Sequence, residues 1–483
     1  MNALIAIRNL TMATALIAAL AMAGCRVGPN YKRPAVPTAP AYRGAEEPAK
    51  AGTAAENTPQ PDAAKNSLGD EKWWSVFGDP QLQELIRKGL TQNYDVRVAA
   101  ERIVQAQAQL GVTNADLYPS LNGTSSFSSQ RYAKGEMSSN PVLANFGKFG
   151  LSASWTPDFW GKYRRASEAA RAQLLGYEWA RRAVLDTLVS NIATAYFQLR
   201  TLDMQLEINK KTLVSRQDSL QLTRTLESGG NDSMLDVREA EQLVFASQAQ
   251  IADLERQIEQ EEDTLSALLG DIPHPITRGQ SIDQQPLLPS VPTGVPSELL
   301  ERRPDIQQAE TALIAANAEI GVARAAYFPQ ISLTGAAGTD SNALSRLFTG
   351  PSFAWNYGPS LSVPIFDAAR IRNNVRVSES EQRQAVLTYQ QTIVNAFRDI
   401  SKALVAYRKY REYRENEEQI VTSAADALHL SKIRYEQGQS SYLDVLTNDR
   451  TYLSAQLDLA TAKQNELLSL VQVYGALGGG WQQ

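Results

Sequence analysis

The sequence predicts a mostly α-helical chain that also contributes four strands to a membrane β-barrel. Three observations predict this fold class: an internal repeat with an offset of about 210 residues, heptad spacing of apolar residues over long proline-free stretches, and short segments in which apolar and polar residues alternate. Past the N-terminus no stretch reaches the roughly 20 uninterrupted apolar residues that a membrane-spanning helix needs. A membrane crossing would therefore use β-strands.

The chain opens with a segment typical of a secreted lipoprotein. Residues 1–24 contain Arg8, an apolar run that ends at Met22, and two small residues before Cys25, the only cysteine. This pattern predicts a signal peptide over 1–24 and a diacylated Cys25 at the start of the mature chain. A plain signal peptide beside a chance cysteine is the alternative. Residues 29 to about 65 are rich in proline, alanine, glycine and threonine, which predicts an extended tether, and 25–72 is assigned as the lipidated tether and equatorial segment.

An internal repeat sets the order of the elements that follow. Three motifs recur in the same order: Gly111 with Tyr118-Pro119 as Gly321 with Phe328-Pro329, Pro157 with Phe159 as Pro364 with Phe366, and Gly230 with Leu235-Asp236-Val237 as Gly438 with Leu443-Asp444-Val445. They predict a first repeat over 73–271, a connector over 272–296, a second repeat over 297–476 and a C-terminal tail over 477–483. Each repeat is expected to read helix, strand, strand, very long helix, turn and further helix.

Each repeat holds one very long helix with a heptad seam. Apolar residues alternate spacings of three and four at Leu185, Leu188, Ile192, Ala195, Leu199, Leu202 and Leu206, and again at Val386, Tyr389, Ile393, Ala396, Ile400, Ala403, Tyr407 and Tyr410. The first helix is expected from about residue 158 to 228, which at 1.5 Å per residue is a rod of about 100 Å. On the helices alone, a fibrous coiled coil without a lumen is the alternative.

The strands are predicted from alternation with a period of two. The most regular one runs over about 11 residues, with apolar or aromatic side chains at Phe353, Trp355, Tyr357, Pro359, Leu361 and Val363. That length matches a tilted membrane strand, and one face suits lipid while the other suits water. Further strands are expected around 149–156 and 331–334, and a weak one from Leu121 to Phe127. Two amphipathic hairpins on a soluble core are the alternative.

Four strands in hydrocarbon would leave unpaired edges, so they are expected to close into a barrel with copies of themselves. Two copies would give about eight strands, which side chains fill, whereas three copies leave room for a channel. The strand count therefore predicts a trimer as the smallest plausible pore.

The chain resembles the outer-membrane factor family of tripartite efflux pumps, specifically the TolC and OprM type and its NodT-like lipoprotein branch. The resemblance is carried by Cys25-Arg26-Val27-Gly28-Pro29-Asn30-Tyr31, by Trp73-Trp74 with Phe77-Gly78-Asp79-Pro80, and by Leu299-Leu300 with Arg302-Arg303-Pro304-Asp305-Ile306. It implies a homotrimer with a 12-stranded β-barrel, four strands per protomer, continuous with a 12-helix periplasmic α-barrel. An equatorial belt would be built from the chain ends and connecting segments.

The resemblance also implies a location and partners. The protein would sit in the outer membrane of a Gram-negative bacterium, in contact with outer-membrane lipid, and extend into the periplasm. It would dock on a periplasmic membrane-fusion adaptor and an inner-membrane transporter, commonly of the resistance-nodulation-division class. The channel would be a passive duct for drugs or other small toxic compounds. Type I protein secretion and heavy-metal export are the alternatives, because a fold does not fix its cargo.

The turns near Gly230 and Gly438 would lie at the periplasmic aperture. Asp236 and Asp444 each fall in the first turn of the following helix, where the helix dipole favours a carboxylate, and this is one interpretation of the repeated motif. The resemblance implies another: three copies of Asp444 form a cation-selective ring, and Asp236 hydrogen-bonds Tyr435 to hold neighbouring coils shut. Two positions depart from the family pattern. A second acidic ring would fall on Thr447, and a basic locking residue on Ser440.

Other classes of function have little support in the sequence. The formal net charge of −5 gives no indication of a nucleic-acid partner. The two histidines, His274 and His429, have no metal-ligand or catalytic neighbour at a recognisable spacing, so we expect neither an enzyme nor a cofactor other than the covalent lipid. A structural coiled-coil lipoprotein remains a remote alternative, and it predicts no ion conductance.

Overall fold

The computed structural model describes residues 26–36, 42–43, 68, 76, 78–133, 142–285, 291 and 296–479. The predicted signal peptide, Cys25, Trp73-Trp74 and most of the tether lie outside these residues. Residue contacts divide the chain into two units. The first holds the described residues within 1–35, 102–177 and 308–389, and the second those within 36–101, 178–307 and 390–483.

The same order of elements occurs twice along the chain. The elements are α1 Pro80–Gln92, α2 Tyr94–Ala115, β1 Ser120–Tyr132, β2 Val142–Trp155, α3 Lys162–Ser228, α4 Met234–Leu269, α5 Leu299–Arg302, α6 Pro304–Ala325, β3 Gln330–Ser341, β4 Phe353–Ser362, α7 Arg370–Glu436 and α8 Tyr442–Ala476. Short 3-10 turns lie at Ile282–Gln284, Pro296–Glu298, Leu344–Arg346 and Gly350–Ser352.

The two very long helices are confirmed. Helices α3 and α7 each run for 67 residues without interruption. Most residues of the two predicted seams are buried. Every heptad position is buried from Leu185 to Leu199 in α3 and from Tyr389 to Tyr407 in α7. The seams weaken at the ends, where Leu202 and Leu206 are half-buried and Tyr410 is 38% exposed.

The four strands form one antiparallel sheet in the order β1-β2-β3-β4. Its register places the predicted apolar positions in rows on one face: Leu121 with Ala153, Gly335 and Tyr357, and Gly123 with Leu151, Ala337 and Trp355. Because side chains alternate along a strand, most of the serines fall on the other face. There the Oγ atoms of Ser120 and Ser154 lie 2.8 Å apart, and those of Ser332 and Ser360 lie 2.6 Å apart. The expectation of one apolar and one polar face is confirmed.

The first strand is longer than its sequence indicates. It was expected to run only from Leu121 to Phe127, but β1 extends over 13 residues and pairs with β2 along its whole length. The segment is rich in serine and glycine, whose intrinsic strand propensity is low. The strand therefore depends on its ladder with β2, which a local pattern does not show.

Two of the sequence motifs that carry the family resemblance are held in place by hydrogen bonds of one buried side chain each. In the first unit, the guanidinium of Arg165 is 1% exposed and donates to the carbonyls of Val27 and Gly28 at 3.2 Å. Gly28 has a φ of +104°, and a Cβ there would lie 2.5 Å from the Cα of Gly321. In the second unit, Asp79 is fully buried and accepts from the hydroxyl of Tyr196 at 2.6 Å.

Candidate functional site at the helix turns

Both long helices end in the same glycine cap. At the end of α3, the N–H of Gly230 donates to the carbonyl of Glu227 and the N–H of Asn231 to that of Leu226, both at 2.9 Å. At the end of α7, Gly438 and Gln439 make the equivalent bonds, at 2.9 and 2.8 Å. These are Schellman motifs, and they need a left-handed residue, here Gly230 at φ +73° and Gly438 at φ +70°. The glycines of the sequence repeat are thereby explained.

The repeated aspartates cap the helices that follow. Ser233 and Asp236 form a capping box at the start of α4, in which the Asp236 N–H donates to Ser233 Oγ at 3.3 Å and the Ser233 hydroxyl donates to the Asp236 carboxylate at 2.7 Å. At the start of α8, Ser441 donates to Asp444 at 3.5 Å, a longer and weaker contact. Both carboxylates thus occupy the first helical turn, as the helix-dipole interpretation requires.

The predicted hydrogen bond between Tyr435 and Asp236 is wrong within this chain. The hydroxyl of Tyr435 donates instead to the carboxylate of Asp232, which lies in the turn between α3 and α4. Asp236 is engaged with Ser233 as a helix cap, whereas Asp232 precedes the cap and is left to accept from α7. The sequence motif repeated Asp236 but not Asp232, so the pattern gave no indication of this partner.

The two carboxyls near Tyr435 influence each other. Burial and the adjacent Asp236 carboxyl raise the pKa of Asp232, while the hydrogen bond from Asp232 lowers the pKa of Asp236. Burial and the hydrogen bond to Asp232 raise the pKa of Tyr435. The tyrosine therefore remains a neutral donor at physiological pH, which suits a bond to a carboxylate.

The other positions of the predicted aperture are less constrained within one chain. The Asp444 side chain is exposed, and Thr447 is exposed with its hydroxyl donating to the carbonyl of Leu443 at 2.8 Å. The hydroxyl of Ser440 is buried and has no hydrogen-bond partner in the part of the chain that the structure describes. An Asp444 ring involves neighbouring copies, so it stays a prediction.

Beneath the turns, four helices are joined by a buried cluster that we call the tip cluster. Its buried members are Ala240 and Leu243 of α4, Leu428 of α7, and Tyr442, Val445 and Leu446 of α8, with Leu220 of α3 packed against them. The rings of Tyr435 and Tyr442 lie 5.3 Å apart in it, and burial raises the pKa of Tyr442 to about 12.

A buried ion pair that sequence reasoning missed adjoins the tip cluster. The side chain of Arg216 in α3 is 6% exposed and donates to Asp449 of α8 through Nη2 at 2.6 Å and Nε at 2.8 Å. It also donates to the hydroxyl of Ser247 in α4 at 2.9 Å. One guanidinium therefore links three of the four helices. Arg216 lies ten positions past Leu206, the last residue of the predicted seam, and a lone arginine in a helix more often lies on a solvated face.

Two kinds of feature are absent from the described residues. None of their helices is both long and apolar enough to cross a membrane. Among the same residues, no three histidine, cysteine, aspartate or glutamate side chains are grouped in a way that could hold a metal ion. Both histidines are exposed, and His274 contacts Ser266 in the connector region.

Comparison with known proteins decides the family. The model of the outer membrane efflux protein family matches residues 85–271 and 295–479. The chain belongs to this family. The two matched segments include both long helices, all four strands and both capped turns of this outer membrane efflux protein. The resemblance to the outer-membrane factor family, stated from the sequence motifs, is confirmed.

Relatives support the assignment over nearly the whole length. The cation efflux system protein CusC of Escherichia coli is 36% identical, with 96% of this chain and 98% of the relative covered. The solvent efflux pump outer membrane protein SrpC of Pseudomonas putida is 35% identical, with 96% and 97% covered. The open-state structure of the Neisseria gonorrhoeae MtrE outer membrane channel matches with a TM-score of 0.83 at 29% identity, covering 95% of this chain and 99% of that one.

These matches confirm the fold class, the outer-membrane location and the efflux function expected from the sequence. The protein is an outer membrane efflux channel with the TolC-like fold. Its relatives are named as channel and efflux proteins rather than as enzymes. The roles of Asp236, Tyr435 and Asp444 in gating remain predictions.

Proposed function

We propose that three copies of this chain form a passive duct through the outer membrane. The observation that carries the proposal is the four-stranded sheet. Among the described residues, β1 and β4 each have only one paired edge. The apolar face is uncovered in the single chain, where Trp355 is 66% exposed and Tyr357 79%. Unpaired edges are costly in hydrocarbon, so the sheet needs further copies to close.

The internal repeat supports a definite register between copies. Within the chain β2 pairs with β3. The repeat makes β4 equivalent to β2 and β1 equivalent to β3, so β4 is expected to pair with β1 of the next copy in the same way. Leu121 pairs with Ala153 and Ile331 with Leu361, so Leu361 corresponds to Ala153. Since Ala153 lies opposite Gly335, and Gly335 corresponds to Ser125, Leu361 should lie opposite Ser125 of the next copy. This register keeps outward positions opposite outward positions, as a sheet with one buried face requires.

Disulfide trapping tests the register. The only native cysteine is Cys25, so a chain carrying Leu361→Cys and Ser125→Cys should give covalent trimers on a non-reducing gel. The matched control joins Leu361→Cys with Leu121→Cys, four residues away along the same strand. Its Cα atoms would be about 14 Å apart by strand rise, beyond the roughly 7 Å limit of a disulfide. Equal cross-linking of both pairs would contradict the register.

Planar-bilayer conductance with the oligomeric mass in detergent tests the duct itself. We expect a trimer with small cation-selective steps. A monomer without conductance would contradict the proposal and favour a structural coiled-coil lipoprotein.

We further propose that the duct works with a periplasmic adaptor and an inner-membrane transporter, probed by pull-down of the intact channel from membranes. The proposed cargo is a class of small toxic compounds, and one relative is named for solvent efflux. Metal ions are the second candidate, because the CusC relative is named for cation efflux. A deletion strain sensitive to solvents and dyes supports the first cargo, and one sensitive only to metal salts supports the second.

We also propose that Cys25 carries the lipid anchor. The residues that follow it are held close to the sheet end of α3, since Val27 donates its N–H to the carbonyl of Trp160 at 3.2 Å and Arg165 binds the next carbonyls. A short, fixed segment of this kind would keep an anchor beside the membrane strands.

A further inference from the structure

The first unit contains a cavity of about 540 Å³ beside the start of the described chain. It lies where α2 ends, α3 begins and α6 passes, and its lining includes Arg26, Arg164, Ser167 and Arg171. Helix α2 leads into β1, α3 follows β2 and α6 leads into β3, so these helices continue three consecutive strands of one sheet. The cavity is thus lined by residues of one copy, and its helix α2 continues β1, one of the two edge strands that neighbouring copies would join.

The lining carries an excess of positive charge with open donors. Three arginines face one carboxylate, Glu168, which is held by Arg26 at 2.5 Å. Arg164 is paired with Asp158 at 3.3 Å. Arg171 is exposed and has no hydrogen bond or ion pair within the residues that the structure describes. One guanidinium with five donors therefore remains available.

A second, independent observation is a buried hydroxyl. Ser167 is 7% exposed and lines the same cavity, and its Oγ has no hydrogen-bond partner among the described residues. A buried polar group without a partner is unfavourable, so its retention indicates an acceptor or donor supplied from outside the chain.

Most of the remaining lining is apolar, and the sheet end of the cavity lies close to the proposed membrane anchor. Leu117 and Leu175 line the cavity, and Leu175 is 43% exposed. Arg26 directly follows Cys25, and Leu117 precedes the first residue of β1, Ser120, by three positions. An oxyanion with an attached hydrocarbon chain satisfies the arginines, the hydroxyl and Leu117 together, whereas a free anion leaves Leu117 without an apolar partner.

We propose that this cavity binds the phosphate of an anionic phospholipid headgroup, with Arg171 and Ser167 as its principal donors and Leu117, at the sheet end of the cavity, against the acyl region. The inference rests on the proposed membrane insertion of the sheet. Bound lipid would hold the ends of α2 and α3 at a fixed depth, next to the segment that Arg165 docks. Guanidinium groups suit this role because their donors match two phosphate oxygens at once.

Native mass spectrometry of the full-length channel in detergent tests the proposal. The protein is incubated with phosphatidylglycerol, and bound lipid is counted per protomer. Arg171→Ala should reduce phosphatidylglycerol affinity about tenfold, the effect of one lost charge-assisted hydrogen bond. Ser167→Ala should reduce it several-fold while leaving the fold intact, since the hydroxyl has no partner within the chain. The matched control is Arg376→Ala, an exposed arginine of α7 outside the cavity.

Each outcome decides the inference. Reduced binding in Arg171→Ala and Ser167→Ala but not in Arg376→Ala supports it. Equal binding by all variants overturns it, as does equal binding of zwitterionic phosphatidylethanolamine. Displacement of the lipid by inorganic phosphate at the same concentration would show that the donors bind a free anion, and it would overturn the proposal of a phospholipid site. Conductance of the same preparation separates the two proposals: a conducting trimer without selective lipid binding removes only this inference.

Discussion

Breaking the buried ion pair at the tip should loosen the helix turns. In Asp449→Ala, the guanidinium of Arg216 would lose both of its bonds to the carboxylate while staying 6% exposed. Removing one partner of a buried pair typically costs about 3–5 kcal/mol, because the remaining charge is uncompensated. The bond from Arg216 to Ser247 survives, so we expect the low end, about 3 kcal/mol.

Native-state hydrogen exchange measures this loss locally. A decrease of about 3 kcal/mol in the free energy of opening corresponds to roughly 150-fold faster exchange. The effect should be confined to amides around the tip cluster, in the ends of α3 and α7 and the starts of α4 and α8. The sheet should be unaffected, and single-channel conductance should rise if the turns close the duct.

Two further variants make the reasoning refutable. Asp458→Ala removes an exposed carboxylate of the same helix, which accepts a hydrogen bond from Ser454, and should change exchange little. The double variant Arg216→Met with Asp449→Leu removes both charges and should recover most of the loss, since replacing a buried pair by apolar groups is often neutral. Equal exchange in Asp449→Ala and Asp458→Ala would refute the buried-charge argument.

Three other predictions concern the anchor and the aperture. Cys25→Ser should abolish labelling by radioactive palmitate yet leave some channel inserted, and persistent labelling would exclude the anchor. Asp444→Ala should raise conductance and weaken block by multivalent cations if the carboxylate lines the pore, whereas unchanged block would assign it to helix capping alone. Tyr435→Phe and Asp232→Ala should both speed exchange at the α3–α4 turn, because each removes the hydrogen bond between these two side chains. The raised pKa of Asp232 means that the folded turn binds the proton of this carboxyl more tightly than the unfolded chain does. The contribution of Asp232 to stability should therefore fall as the pH rises through its titration. This pH dependence should be absent in Asp232→Asn, which does not titrate.

The sequence predicted the features that depend on periodicity. Heptad spacing reports which side of a helix is buried, and the positions around Ile192 and Ile400 are indeed fully buried. Alternation with a period of two reports the faces of a strand, and the row from Leu121 to Tyr357 follows it. The repeated glycines were found because a Schellman cap strongly favours glycine in a left-handed conformation.

Features that depend on contacts between distant elements were not predictable in the same way. Arg216 and Asp449 are separated by 233 positions, and neither belongs to a motif. The partner of Tyr435 was assigned to Asp236 by resemblance, although Asp232 is four residues away and chemically equivalent. Only the geometry of the cap, which engages Asp236 with Ser233, distinguishes the two carboxylates.

The two turns that the internal repeat makes equivalent differ in their hydrogen bonds. With the offset of 208 that relates Asp236 to Asp444, Asp232 corresponds to Ser440. Asp232 accepts a bond from α7 within its own chain, while the buried hydroxyl of Ser440 has no partner among the described residues. The α3–α4 turn is therefore tied to a neighbouring helix of the same copy, and its cap is the tighter one, at 2.7 Å against 3.5 Å. The α7–α8 turn has the weaker cap and, at Ser440, no equivalent bond to a neighbouring helix among the described residues, and it carries Asp444, the residue expected to face the aperture.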